Sequence, residues 1–313
     1  MKIMLCHFGY IIHTVRKWGT TLMSKVCLAF KKAAKEGLAI ALGFISVIYT
    51  IVPDSIFSHF HFSLSDLLNG HLCLDANNWD VLFSRTIVLF GTVALCVFFC
   101  SVRLLLRKSI TIKGNGYTIE VEYGDILKQA NCKRVINFDE CFTATVGNNV
   151  GDIKATSLCG QYLKQNSMLD IAKLINESSI KPEERKSCYK QRDRYKSGTI
   201  IQNGDDLLMA FAPLDKDGRG RFTSLKEYVD CLFTMWNELD KYYGQKDVCL
   251  TILGSGITRI GEGTDMILTQ QQLLDTIIWS YILSPHKIKN PCKLKIICRK
   301  FDGFSLNAIN VRA

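Results

Sequence analysis

The residues best suited to hold a charged ligand lie within 248–263, VCLTILGSGITRIGEG. An apolar, β-branched run over 248–253 predicts a buried strand, and Gly254, Ser255 and Gly256 break it into a turn that continues through Ile257, Thr258 and Arg259. A strand that empties into glycines lets backbone N–H groups close around an anion, with the Ser255 and Thr258 hydroxyls and the Arg259 guanidinium in reach. The chemistry this suits is capture of a phosphate or diphosphate. Spacing excludes two better-known phosphate loops: G-x-G-x-x-G counted from Gly254 meets Arg259, and G-x-x-x-x-G-K counted from Gly256 reaches Gly261 and then Glu262. An ordinary strand-to-helix turn has the same composition, so the loop needs a second group elsewhere in the chain.

Acid–base chemistry is thinly supplied. After residue 110 the one histidine is His286, which leaves Asp139, Glu140 and Asp152 as candidate proton carriers, and their expected state is that of solvated loop charges. The 13 cysteines include no C-x-x-C pair and no cysteine and histidine cluster of zinc type. They read as free, mostly buried thiols, and no metal site is expected.

The elements that must position these groups follow from periodicity. Residues 110–113 and 117–123 predict two strands joined by Gly114-Asn115-Gly116, the second running into Gly124, Asp125 and Ile126. A short strand over 135–138 carries Asn137, a helix is expected over 168–176, and the lysine- and arginine-rich stretch 178–196 reads as a solvated excursion. Residues 206–212 predict a strand. Ser224 with Glu227 and Thr269 with Gln272 cap helices reaching about Tyr243 and Leu283, and 293–299 closes as a strand. Strands alternating with helices imply an α/β/α domain over 109–313, its mixed sheet covered on both faces and its ligand at the carboxyl ends of the strands. Asp125 falls at one such end and the Gly254 loop at another.

The first third of the chain has a different character. Residues 1–36 are basic and amphipathic, as in a helix on a membrane surface, without the compact apolar core of a signal peptide. Uncharged runs over 37–52 and 86–102 predict two transmembrane helices joined by an external loop at about 53–85. Seven Lys/Arg precede the first run and Arg103, Arg107 and Lys108 follow the second, whereas the loop holds four aspartates and one arginine. Both termini are therefore expected in the cytoplasm. Residues 1–110 carry 11 Lys/Arg against 5 Asp/Glu and the remainder 28 against 24, so much of the net +10 charge flanks the apolar runs and no nucleic-acid partner is expected. Small residues four apart, Gly37 with Ala41 and Ala39 with Gly43, point to close helix contact and a homo-oligomer.

Three separated segments together resemble the macro domain, an ADP-ribose-binding fold: Val121-Glu122-Tyr123-Gly124-Asp125-Ile126, then Val135-Ile136-Asn137, then Leu253-Gly254-Ser255-Gly256-Ile257. The resemblance implies that Asp125 accepts a hydrogen bond from an adenine amino group, and that the loop from Gly254 to Thr258 wraps a diphosphate. Two apolar spans ahead of a divergent macro domain are similar to the membrane-bound macro effectors of Thoeris anti-phage defence systems, to which Phe142, Ser157 and Gly160 also correspond. That likeness implies a bacterial inner-membrane sensor without a cofactor. Its ligand would be an ADP-ribose derivative made from NAD by a TIR-domain partner, a class that includes conjugates such as histidine-ADP-ribose, and its output would be membrane disruption. The expected ligand set is Asp125, Ile126, Asn137, Phe142, Ser157, Gly160, Gly254, Ser255, Gly256, Ile257, Thr258 and Arg259. Asn137-Phe138-Asp139-Glu140 replaces the family's N-A-x-N, and no glycine triplet of the hydrolytic members is present, Val146-Gly147-Asn148-Asn149 being the nearest approach. Binding without turnover is expected; the alternatives are a membrane-tethered ADP-ribosyl hydrolase and a receptor for ADP-ribosylated partners.

Overall fold

The computed structural model describes residues 27, 29–51, 76–256, 258–261, 268–300 and 304–309. The expectations for the amphipathic segment 1–26, for the loop 53–75 and for Ile257 lie outside these residues. The chain divides into two compact units, Met1–Arg107 and Lys108–Ala313.

Among the described residues the first unit contains two helices, α1 (Ala29–Ile51) and α2 (Ala76–Leu105), each long and apolar enough to cross a membrane. The uncharged runs of 16 and 17 residues overlap helical segments of 23 and 22 residues, Ala29–Ile51 and Ser84–Leu105, the first of which also carries Lys31, Lys32, Lys35 and Glu36 near its start. At 1.5 Å per residue each spans about 33 Å, enough for a bilayer core. One face of α1 repeats every four residues: Ala29, Ala33, Gly37, Ala41 and Ile45 are all buried. A Cβ on Gly37 would stand 2.9 Å from the Val97 Cα, so the absence of a side chain is what lets the helices meet. The Gly37 and Ala41 face thus serves packing within the chain, while Ala39 and Gly43 face outward. Thr50, Thr92 and Ser101 donate to the carbonyls of Ser46, Val88 and Val97, which satisfies their hydroxyls inside an apolar surface. Outward stand Leu38, Leu42, Phe44, Phe90, Phe98 and Phe99, a surface suited to lipid rather than water.

In the second unit, seven strands among the described residues form one mixed sheet: β1 (Ser109–Lys113), β2 (Thr118–Tyr123), β3 (Cys132–Asp139), β4 (Ile200–Asn203), β5 (Asp206–Ala212), β7 (Asp247–Thr251) and β9 (Leu294–Cys298). Their order is β1-β2-β9-β7-β3-β5-β4; the five central strands are parallel and the two edges antiparallel. β5 is buried along its whole length, as a central parallel strand must be when both faces are covered. Its residues alternate between two cores: Leu207, Met209 and Phe211 pack under α5 (Leu225–Tyr242) and α6 (Gln270–Leu283), and Leu208 and Ala210 under α3 (Leu158–Gln165) and α4 (Ile171–Glu177). Register is fixed by charge as well as burial, since Arg134 pairs opposite Asp206 with Nε 2.7 Å from the carboxylate.

Two expectations change. β3 runs three residues further back than 135–138, because Cys132 and Lys133 are buried among neighbours the linear pattern does not display. The stretch 178–196 is exposed over most of its length but is not a free excursion: Ser187, Tyr189 and Tyr195 are buried and tie it to the domain. The capping signals hold in detail. Thr269 and Gln272 form a reciprocal capping box, while Ser224 accepts from the Glu227 N–H and Glu227 reaches back to the N–H and hydroxyl of Thr223.

Candidate functional site

The parallel strands end on a common edge, and a cavity of about 400 Å³ runs along it, a size typical of small-molecule sites. It takes residues from the ends of β2, β9, β7, β3 and β5 in that spatial order. With strands about 4.8 Å apart, β2 and β5 are separated by roughly 19 Å, which fits an extended ligand rather than a compact one.

At the β2 end, Asp125 caps a single 3-10 turn (Ile126–Lys128), its Oδ1 accepting the Leu127 N–H at 3.1 Å. That bond fixes the carboxylate at the cavity wall beside Ile126. In the middle, Gly254 follows β7 with φ +81°, a conformation that L side chains adopt only under strain. The Tyr228 hydroxyl donates to the Leu253 carbonyl at 3.0 Å and the Ser255 N–H to the Ile252 carbonyl, so the loop is held on both sides of the turn. Gly254, Ser255, Gly256 and Thr258 all line the cavity. Asn137 reaches it from β3, and Ser157, Leu158 and Cys159 bring the amino-terminal end of α3 to it, with Ser157 Oγ accepting the Gly160 N–H. A helix start presents unpaired N–H groups and a positive dipole end to an anion. Beyond β5 the wall is Leu214, Gly218 and Gly220, facing Gly151, Asp152, Ile153 and Lys154.

Three expected ligand residues stand elsewhere. Phe142 is buried in the α3 side core against Phe138 and Tyr195 and does not line the cavity. Gly160 serves close packing, since a Cβ there would meet the Lys154 carbonyl at 2.2 Å. Arg259 begins the short strand β8 (Arg259–Ile260), which pairs with β6 (Arg221–Phe222), and its side chain is exposed and off the wall. The lining cations are instead Lys154 and Arg299. Arg299 could be located as the last residue of the predicted strand 293–299, and it stands one residue past the observed end of β9; Lys154 sits in a loop with no periodic signal.

Asp139 and Glu140 are not solvated. Asp139 accepts the N–H groups of Cys141 and Thr143 at 2.9 and 3.0 Å, and Glu140, 2% exposed, accepts from Ser187 Oγ and the Leu214 N–H. His286 pairs with Asp240 at 3.0 Å and does not line the cavity. The two thiols on the wall stay protonated near neutral pH: burial pushes Cys159 well up and lifts Cys298 to about 12. Among the described residues no group of three or more His, Cys, Asp or Glu side chains could hold a metal ion.

Comparison with known proteins then decides the family. The family model described as Thoeris protein ThsA, Macro domain, matches residues 119–299. The chain belongs to the Thoeris ThsA macro-domain family. Thoeris protein ThsA of Bacillus amyloliquefaciens (strain Y2) is 30% identical over 230 residues, covering 71% of this chain and 75% of that protein. This exceeds the length of the second unit, so the likeness reaches into the first. Solved structures with a similar fold include a point mutant of the Oceanobacillus iheyensis macrodomain, 11% identical with TM-score 0.39 over 62% of this chain and 90% of that one. The same macrodomain with ADP is 13% identical with TM-score 0.34, covering 61% and 88%. Every residue that lines the cavity, from Gly124 to Arg299, lies inside the span matched to the ThsA macro domain.

Proposed function

We propose that this chain is a membrane-anchored anti-phage effector whose macro domain binds an ADP-ribose-type signal. The observation that carries the reading is the cavity itself, with an oriented carboxylate at its β2 end and the Gly254 to Thr258 loop about two strands away. A nucleoside diphosphate has this layout. The Asp125 carboxylate accepts the exocyclic amine of adenine, the base packs on Ile126, and the diphosphate lies between the glycine loop and the start of α3. Asn137, at the end of β3 and so past the glycine loop as counted from Asp125, lies on the side of the group that follows the diphosphate. The group beyond the diphosphate, a ribose with or without an attached amino acid, lies toward Gly151 and Gly218.

The signal is made from NAD by a TIR-domain enzyme that acts through the diffusible product. The domain binds it without turnover: Asp139 and Glu140 are already satisfied by internal donors, Asp152 on the wall accepts the Asn149 N–H at 3.0 Å, and the histidine lies off the wall. Ligand that favours one arrangement of protomers over another shifts a homo-oligomer, and α1 and α2, seated in the cell membrane with both termini cytoplasmic, disrupt it. Calorimetric titration of the full chain in detergent with ADP-ribose tests the binding half of the proposal. Saturable heat is expected, and none up to millimolar nucleotide refutes it.

A further inference from the structure

We propose that Tyr189 is the positioning residue for the far end of the cavity, holding together the two loops that receive the part of the ligand beyond the diphosphate. The inference rests on the nucleotide reading above. Tyr189 is 9% exposed within one of the most highly charged stretches of the chain. Its hydroxyl donates to the Val150 carbonyl at 2.7 Å. The ring occupies the space where two cavity glycines would carry side chains. A Cβ on Gly151 would stand 2.4 Å from the Tyr189 hydroxyl oxygen, and one on Gly218 would stand 2.8 Å from the ring edge and 3.0 Å from the Gly151 Cα. Gly151 and Gly218, from segments far apart in sequence, therefore meet each other under one ring. Both line the cavity, and Gly218 lies past β5, at the opposite end of the strand order from Asp125.

The hairpin that carries Tyr189 is held against its own preference. The Ser187 N–H bonds the Arg192 carbonyl at 2.9 Å, and the two residues at the tip, Lys190 and Gln191, have φ of +54° and +50°. A turn of this hand normally takes glycine, asparagine or aspartate at both places, and other residues persist there only where surrounding contacts impose it. Those contacts are present: Ser187 Oγ to Glu140 at 2.5 Å, Arg192 to the Thr143 hydroxyl at 2.8 Å, and the Tyr195 N–H to the Glu140 carbonyl at 2.8 Å. The buried Glu140 thus joins the hairpin to the end of β3 and, through the Leu214 N–H, to the segment after β5. Neither Tyr189 nor Glu140 lines the cavity. Both act through the loops that do.

ADP ends at the diphosphate and ADP-ribose continues past it, so the pair separates the far end from the rest. Both are titrated against the full chain in detergent for the parent, Tyr189→Phe and Tyr189→Ala, with melting followed in parallel. Loss of the ring should free the two loops, so Tyr189→Ala is expected to weaken ADP-ribose by about tenfold or more and to leave ADP within about twofold. Tyr189→Phe keeps the ring and should restore most of the ADP-ribose affinity. If Tyr189→Ala does not fold, Tyr189→Leu, which keeps a buried apolar group without the flat ring, carries the same expectation. Equal losses for both nucleotides, or no loss for either in a folded variant, overturn the inference alone. A parent chain that binds neither nucleotide overturns the functional reading and this inference with it.

Discussion

Two buried or half-buried carboxylates do different work, and their substitutions separate binding from stability. Asp125 is oriented by one backbone N–H and otherwise faces the cavity, so in the proposed binding mode Asp125→Ala removes a hydrogen bond to the base and should cost about 1 to 3 kcal/mol, roughly ten- to a hundredfold in ADP-ribose affinity. Asp125→Asn keeps an oxygen for the Leu127 N–H, and its melting should match the parent. Unchanged affinity in folded Asp125→Ala removes the assigned role. Glu140 faces inward. Glu140→Ala strands the Ser187 hydroxyl and the Leu214 N–H and leaves Arg194 with only its Glu183 partner, which should destabilise the domain by about 2 to 4 kcal/mol in thermal or denaturant unfolding. Gly256 offers the cleanest steric probe of the loop. Its φ is not positive and a Cβ there meets no atom within 4 Å, so Gly256→Val should fold normally and obstruct the diphosphate, whereas Gly254 at φ +81° does not tolerate the change.

Among the elements, the helical hairpin depends on one close approach. A leucine at Gly37 would collide with the Val97 backbone, which cannot yield as a side chain could, and overpacking of this kind costs about 1 to 3 kcal/mol. Gly37→Leu should still reach the membrane, because the apolar length of α1 is unchanged, but α1 and α2 should part. Limited proteolysis in detergent should cut that variant faster than the parent, and equal rates would mean that Gly37 is not a packing point. The outward Ala39 and Gly43 are a separate surface, and Gly43→Leu should leave proteolysis of the hairpin unaltered. In the macro domain, parallel strands place all their carboxyl ends on one edge, and this makes a continuous trough out of loops that are distant in sequence.

At the scale of the molecule, orientation and coupling are both open to measurement. With the proposed topology, a membrane-impermeant thiol reagent applied to intact cells should label Cys73 and should reach Cys27 and Cys188, both exposed, only after permeabilisation. Cys132 is buried and should stay unlabelled in the folded chain. Labelling of Cys188 from outside would reverse the orientation. Gly256→Val then tests coupling. A ligand moves an equilibrium only by its difference in affinity for the two arrangements, so a chain that cannot bind should insert normally and leave cells polarised when the TIR-made signal is supplied. Depolarisation equal to the parent's, still dependent on signal, would make the Gly254 loop an ordinary turn.

The sequence by itself determined what local pattern can encode. Period and caps placed β5 at 206–212 and α6 up to Leu283, uncharged length placed both apolar helices, and glycine after a β-branched run placed the Gly254 turn. Strand-end reasoning brought Asp125 and that turn to one edge, and the family resemblance added Asn137. Only the tertiary structure decided which side chains face that edge. Phe142 and Arg259 are close to it in sequence but turn into the core and outward, because a positive φ at Phe142 and the pairing of β8 with β6 redirect them. The charged stretch 178–196 looked solvated because its buried residues, Ser187, Tyr189 and Tyr195, follow no helical or strand period. Their partners are Glu140, Gly151 and Gly218, and contacts made across such distances leave no mark on the local pattern of either segment.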